Sequence, residues 1–322
     1  MSGLSPESSQ KAIHIPSPSR QLTLKAMSDC TLCPRNCHVN RLEGKRGYCG
    51  QTAQLTAARA ALHMWEEPCI CGNEGSGTVF FSGCSLRCVF CQNHNIAIGR
   101  SGRTISTERL SEIFLELQAK GANNINLVTP THFVPQIREA LQSARQQGLT
   151  LPIVYNTSSY EHADTLKMLE GLVDIYLPDL KYMSSELSLA YSNAPDYFEH
   201  ASKAIAEMFR QTGRPLFCSD TGLMEKGVIV RHLILPGQVK DSKKIIRYLH
   251  ETYGNDIYLS IMNQYTPLPH VEHIPELNRR VTDEEYSRVI DFALRLGVEN
   301  GFLQEGEAAD ESFIPEFDGE GI

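Results

Sequence analysis

The sequence predicts an α/β fold, a partial (β/α)6 TIM-like barrel with an N-terminal cysteine-rich extension, and three observations predict it. Short apolar runs alternate with amphipathic segments from about residue 77 to the helix ending near Gly297. There are six of these units, spaced to suit right-handed crossovers between parallel strands, and a full barrel needs eight. Ahead of the first unit stand Cys30, Cys33, Cys37 and Cys49, with Gly44, Gly47 and Gly50 permitting tight turns. An open barrel leaves a lateral gap through which a large substrate can enter.

Each element carries its own signals. The first strand is "TVFF" (78–81). In "TERLSEIFLELQAKG" Leu110, Ile113, Phe114 and Leu117 share one helical face, with Thr107 as N-cap and Gly121 as the stop. The strand "INLVT" (125–129) precedes a helix that starts at Pro135 and ends at Gly148. Strands "PIVYN" (152–156) and "VDIYL" (173–177) flank a helix over about 161–170. A helix over 197–212 leads to "VIVRHLIL" (228–235), and one over 241–252 leads to "IYLSIM" (257–262). Thr282 and Glu285 form a capping box for the last helix.

The domain organisation expected is a flexible leader (1–27), a cysteine-rich cap (28–75), the barrel (76–300) and an acidic tail (301–322). In that tail "FIPEF" offers Phe313 and Phe317 as docking points, against a mostly solvated tail as the plainer reading. At 322 residues, with 41% hydrophobic and 21% charged residues, the chain can bury a large core. Its net charge of -8 and pI near 5.8 offer no basic footprint for nucleic acid. No stretch approaches the roughly 20 apolar residues that span a bilayer, and the first residues lack a signal-peptide core, so a cytoplasmic protein is expected. Ten cysteines in a reducing compartment suggest metal rather than disulfides.

The sharpest signal is "GCSLRCVFCQN", with Cys84, Cys88 and Cys91 spaced C-x3-C-x2-C only two residues after the first strand. Strand C-terminal ends form the catalytic face of parallel barrels. Thiolates select zinc, copper(I) or iron-sulfur clusters, and three of them imply either a distant fourth ligand or an open position. An iron-sulfur cube held by three cysteines leaves one iron open.

This motif, with Phe90 before its last cysteine, resembles that of the radical S-adenosylmethionine superfamily. The resemblance implies a 4Fe-4S cluster on Cys84, Cys88 and Cys91 and S-adenosylmethionine chelated at the open iron. It also implies reductive cleavage to a 5′-deoxyadenosyl radical that abstracts hydrogen, with Phe90 against the adenine. "DLKYM" (179–183) and "VRHLILPG" (230–237) are similar to segments of pyruvate formate-lyase activating enzymes and other glycyl-radical activases. Over roughly residues 28–320 the chain resembles the PflX-type branch of these activases. Carried over, Lys181 and Arg231 are cations near the cofactor carboxylate or ribose, and Asp179 is a polar or cation ligand. The activases' Gly-Gly-Glu motif is replaced by "TPTH", leaving Thr129 or His132 to meet the amino group. Their D-T-N-G turn is replaced by Asn156, Thr157, Ser158 and Ser159. The partners implied are S-adenosylmethionine, an electron donor such as flavodoxin or ferredoxin, and a protein substrate whose backbone glycine is activated. The rival reading is an iron-sulfur or zinc binding or electron-transfer protein without radical chemistry, which would need no nucleoside pocket.

Cys30, Cys33, Cys37 and Cys49 have the count of a closed second metal site, which zinc and an auxiliary iron-sulfur cluster fit equally. An empty reduced cap is the plain alternative. Cys71 is read as incidental and Cys218 as a small hydrophobe. His63 and His94 are candidates to approach the site, and Gln264 and Tyr265 to line the gap or pack.

Overall fold

A computed structural model describes residues 18–303 and 315–322. Ten strands form its sheet: β1 Thr56–His63, β2 Ser76–Phe81, β3 Arg103–Thr104, β4 Ile125–Val128, β5 Ile153–Thr157, β6 Ile175–Pro178, β7 Leu216–Phe217, β8 Met224–Leu233, β9 Tyr258–Met262 and β10 Gly301–Leu303. Their order is β10-β9-β8-β6-β5-β4-β2-β1-β3, with β7 beside β8. From β2 through β9 and on to β10, neighbours along this path pair parallel. The sheet stays open between β3 and β10, so the fold is the expected partial barrel of mixed α/β class.

All six expected strands are present. Helices Thr107–Ala119, Val134–Gln146, Tyr197–Thr212, Val239–Tyr253 and Asp283–Leu296 run between or after them. Their apolar faces bury Phe114, Ile137, Ile205, Ile245 and Val289 against the sheet, because inward residues recur at helical spacing. Thr282 and Glu285 form the capping box. The N-cap of the first of these helices is Ser106, not Thr107: its side chain accepts from the Arg109 N–H. The helix expected over 161–170 shortens to Ala163–Lys167.

β1 and β3 are antiparallel additions at the edge. "TAARAALH" has the alanine content of a helix former, but its neighbours Phe80 and Phe81 in β2 hold it as a strand. Between β1 and β2 the chain turns inward. Ile70 and Cys69 pack on Val154, Ile175, Leu177 and Ile229. Asn124 and Asn123 donate to the carbonyls of Ile70 (2.7 Å) and Cys71 (2.6 Å). Residues 64–72 are thereby fixed at the N-terminal end of β4, inside the barrel.

A helix over Pro18–Ser28 leans on Val134–Gln146 through a Thr23–Glu139 hydrogen bond of 2.8 Å. The expected leader before residue 18 lies outside the described residues, as does Phe313. Phe317 does dock, edge-on to Phe80 with ring centroids 5.4 Å apart. The tail backbone around it bonds to Ala58 (3.1 Å) and Ala60 (2.8 Å), and Arg59 holds Asp318 and Glu320. No helix among the described residues is long and apolar enough to cross a membrane.

Candidate functional site

The loop after β2 owes its shape to backbone constraints. Gly83 adopts φ +87°, and a Cβ there would lie 2.6 Å from the Cys49 carbonyl oxygen, so the turn accepts only glycine. Arg87, between the first two cysteines, is also left-handed at φ 51°. The N–H groups of Leu86 and Arg87 point at the Cys84 sulfur at 3.4 and 3.5 Å. Cys91 closes a turn onto the Cys88 carbonyl at 3.1 Å, and the Val89 N–H is tied to the Tyr191 carbonyl at 2.8 Å. Ser192 Oγ donates to Cys88 Sγ at 3.1 Å.

Cys84, Cys88 and Cys91 all line one cavity of about 670 Å³, together with Phe90, Asp179, Lys181 and Arg231. The three thiols are free and unpaired by disulfides. Burial pushes the Cys91 thiol up to about 12, with its cysteine neighbours adding to the effect and Lys181 opposing it. The Cys84 thiol is raised for the same first reason. Buried neutral thiols are poor metal ligands, whereas a bound metal removes the proton outright. An all-sulfur donor set beside a lysine, in the wall of a large cavity, fits a cluster that needs thiolates.

Opposite the thiols, two strands deliver charged groups. Asp179 follows β6 and pairs with Lys181 Nζ at 2.8 Å and with Arg231 Nε at 2.9 Å. Arg231, in β8, also donates to the Asn156 side chain at 2.7 Å. Burial disfavours the charged Asp179, but Arg231 and Lys181 outweigh it and hold the carboxyl below its ordinary value. Burial likewise opposes charge on Lys181 and Arg231, and their carboxylate neighbours more than restore it.

The sequence reasoning missed Glu66. Its carboxylate lies in the cavity wall and accepts from Asn126 (3.0 Å), Asn156 (3.3 Å) and Arg231 (3.3 Å). Burial raises its pKa against the pull of Arg231. The one signal available was an acidic pair, Glu66–Glu67, beside the apolar "PCIC", and no periodicity marks such a turn as buried. Glu66 and Asp179 facing Lys181 and Arg231 make a mixed-charge wall, complementary to a ligand carrying both signs.

The other expected residues divide. Thr129 and Asn156 line the cavity. Thr129 is left-handed at φ 57°, a rare state for a β-branched residue. His132 is not brought to the cavity wall: it is buried behind the loop, with Nε2 against the Ser82 carbonyl at 2.7 Å, and burial pulls its pKa down to about 3. Gln264 and His63 line the cavity, whereas Tyr265 packs on Phe90 and His94 stacks on His270. Cys71, read as incidental, is also in the cavity wall. Phe90 sits within an aromatic ring of Tyr182, Tyr191 and Tyr265. Cys30, Cys33, Cys37 and Cys49 gather instead behind the loop, where the Cys49 carbonyl abuts Gly83.

Comparison with known proteins follows the same lines. An uncharacterized protein of Methanocaldococcus jannaschii is 26% identical over 283 residues, covering 85% of this chain and 76% of its own. Streptococcus suis SuiB bound to S-adenosylmethionine aligns with a TM-score of 0.48 at 12% identity, over 70% of this chain and 49% of SuiB. The chain thus spans about half the length of SuiB. A domain of a pyruvate-formate lyase-activating enzyme from Bacteroides vulgatus aligns with a TM-score of 0.38 at 14% identity, over 54% of this chain and 92% of that domain. The family model of the Radical SAM superfamily matches residues 78–249, from the strand before the three cysteines through the helix after the arginine strand. Since that match spans more than half of the sequence, the chain belongs to the radical SAM superfamily.

Proposed function

We propose that this radical SAM protein cleaves S-adenosylmethionine reductively at a 4Fe-4S cluster held by Cys84, Cys88 and Cys91, and that it acts as an activase on a glycine of a partner protein. The observation that carries the cleavage reading is the convergence of three free thiols from one loop on the cavity that Asp179, Lys181 and Arg231 also face. When bound, the cluster supplies one electron to the sulfonium, giving methionine and a 5′-deoxyadenosyl radical that takes a hydrogen atom from substrate.

The chain's own residues bind, orient and exclude water. Lys181 and Arg231 are the cations for the cofactor carboxylate or ribose hydroxyls. Asp179, bonded to both, fixes their directions. Glu66 offers a buried carboxylate for the amino group, in a chain that lacks the Gly-Gly-Glu motif. Thr129 offers a hydroxyl at the end of β4, and Phe90 an aromatic surface for the adenine. Buried apolar surface around Phe90 keeps bulk water from a reactive radical. His132 has no part in this reading. The activase role rests on the resemblance of "DLKYM" and "VRHLILPG" to glycyl-radical activases.

The test is anaerobic reconstitution with iron and sulfide, then dithionite and S-adenosylmethionine. Release of 5′-deoxyadenosine and methionine is expected. Failure to release either from protein with a full cluster would falsify the cleavage reading. The activase role fails separately if 5′-deoxyadenosine forms but no deuterium passes into it from partner enzyme made with deuterated glycine.

A further inference from the structure

We infer that Cys30, Cys33, Cys37 and Cys49 form a second site, which binds a metal centre, a zinc ion or an iron-sulfur cluster, through four thiolates. The inference does not depend on what Cys84, Cys88 and Cys91 do.

Local backbone geometry prepares the four sulfurs. The Cys30 N–H donates to the Val39 carbonyl at 3.2 Å and the His38 N–H to the Cys30 carbonyl at 3.1 Å, which closes the segment that carries the first three thiols. Asn36 and His38 take left-handed conformations there, as Arg87 does between Cys84 and Cys88. A turn from Gly47 to Gly50 presents Cys49. Backbone N–H groups aim at the sulfurs: Tyr48 at Cys37 (3.2 Å), Arg35 at Cys33 and Gln51 at Cys49. The same N–H to sulfur pattern marks Cys84 and Cys91. Such donors stabilise a thiolate more than a thiol.

Charge supplies an independent observation. Arg41 is 1% exposed. It donates to the carbonyls of Thr52 (2.7 Å) and His132 (2.6 Å), and its Nη1 lies 3.9 Å from Cys30 Sγ. Arg35 stacks on Tyr48 at 3.8 Å, and Arg87 lies over the same ring at 5.3 Å with its buried Nε lacking any partner. None of the three arginines has a carboxylate partner among the described residues. A buried guanidinium without a counter-charge is costly. Thiolates on a metal supply that negative charge, whereas four neutral thiols do not.

The experiment uses the full chain with Cys84, Cys88 and Cys91 all changed to Ala, reconstituted anaerobically and assayed for iron, acid-labile sulfide and zinc. Either about four iron with four sulfide or about one zinc per chain is expected, and the one found names the metal. Adding Cys33→Ala and Cys49→Ala should remove it. Absence of any bound metal overturns the inference. If the triple variant does not fold, the unaltered chain decides: zinc, or iron beyond about four per chain, is expected, and a metal content that stops near four iron overturns it.

Discussion

Two cysteine regions lie back to back in this fold, built from the same local parts and opened in opposite directions. Each places a left-handed residue between its thiols and turns backbone N–H groups onto sulfur. The loop of Cys84, Cys88 and Cys91 faces a cavity with a mixed-charge wall. The set at Cys30, Cys33, Cys37 and Cys49 faces arginines and the back of that loop. With metal bound as proposed, three ligands in front of a cavity would leave a corner for chemistry, and four behind it would close one. On the proposed reading, ligand count and what stands opposite, more than the thiols themselves, separate a reactive centre from a supporting one.

The largest effect expected from breaking this contrast is at Cys88→Ala. Loss of one of three ligands should abolish 5′-deoxyadenosine release, while the iron retained falls to what the N-terminal set holds. Product at the unaltered rate would mean that the loop is not the reactive centre. The double change Cys33→Ala and Cys49→Ala should do the reverse, costing stability first. Removing a structural metal site costs on the order of 4 kcal/mol, about 10 °C in Tm for a domain of this size. A melting temperature that does not move would remove the supporting role.

Much of the reactive side was legible in the sequence, because its signals are local. A strand ends, two residues later a C-x3-C-x2-C turn begins, and parallel βα units put that turn on the same face as Asp179, Lys181 and Arg231. Strand period and helix caps fixed those positions to within a few residues. What was not legible depends on contacts distant in sequence. Glu66 reaches the cavity only because residues 64–72 fold into the barrel and are held by Asn123 and Asn124. β1 is alanine-rich and becomes a strand through its pairing with β2 and β3. His132 is placed by sequence where a cofactor contact is expected, but the 3-10 turn Thr131–Phe133 rotates its ring toward Ser82.

A titration sharpens the contrast from the supporting side. Glu161 is fully buried beneath Cys33, with hydroxyls of Thr131, Thr157 and Tyr155 all donating to its Oε1. Burial raises its pKa from 4.5 to about 7, against the pull of those hydroxyls. The folded state therefore holds a proton that the unfolded chain loses first, so stability falls as pH rises between about 4.5 and 7. The span is about 3 kcal/mol. Glu161→Gln should flatten this dependence in denaturant unfolding measured across that range. A slope unchanged by the substitution would assign the titration elsewhere.

The smallest effect tests the seam between the two regions. Arg35 leaves the N-terminal set and donates to the carbonyls of Ser85 (2.9 Å), Leu86 (3.5 Å), Ser192 (2.8 Å) and Asn193. One planar fork thus binds the cysteine loop and the helix end that supplies Ser192 to Cys88. Lysine keeps the charge but cannot span these acceptors or stack on Tyr48. Arg35→Lys should cost about 2 kcal/mol, with iron and sulfide retained in full. Because the loop loses its brace while both ligand sets survive, 5′-deoxyadenosine release should slow more than cluster content falls. Equal losses of product and iron would mean that Arg35 serves assembly of the clusters, not the alignment of one region against the other.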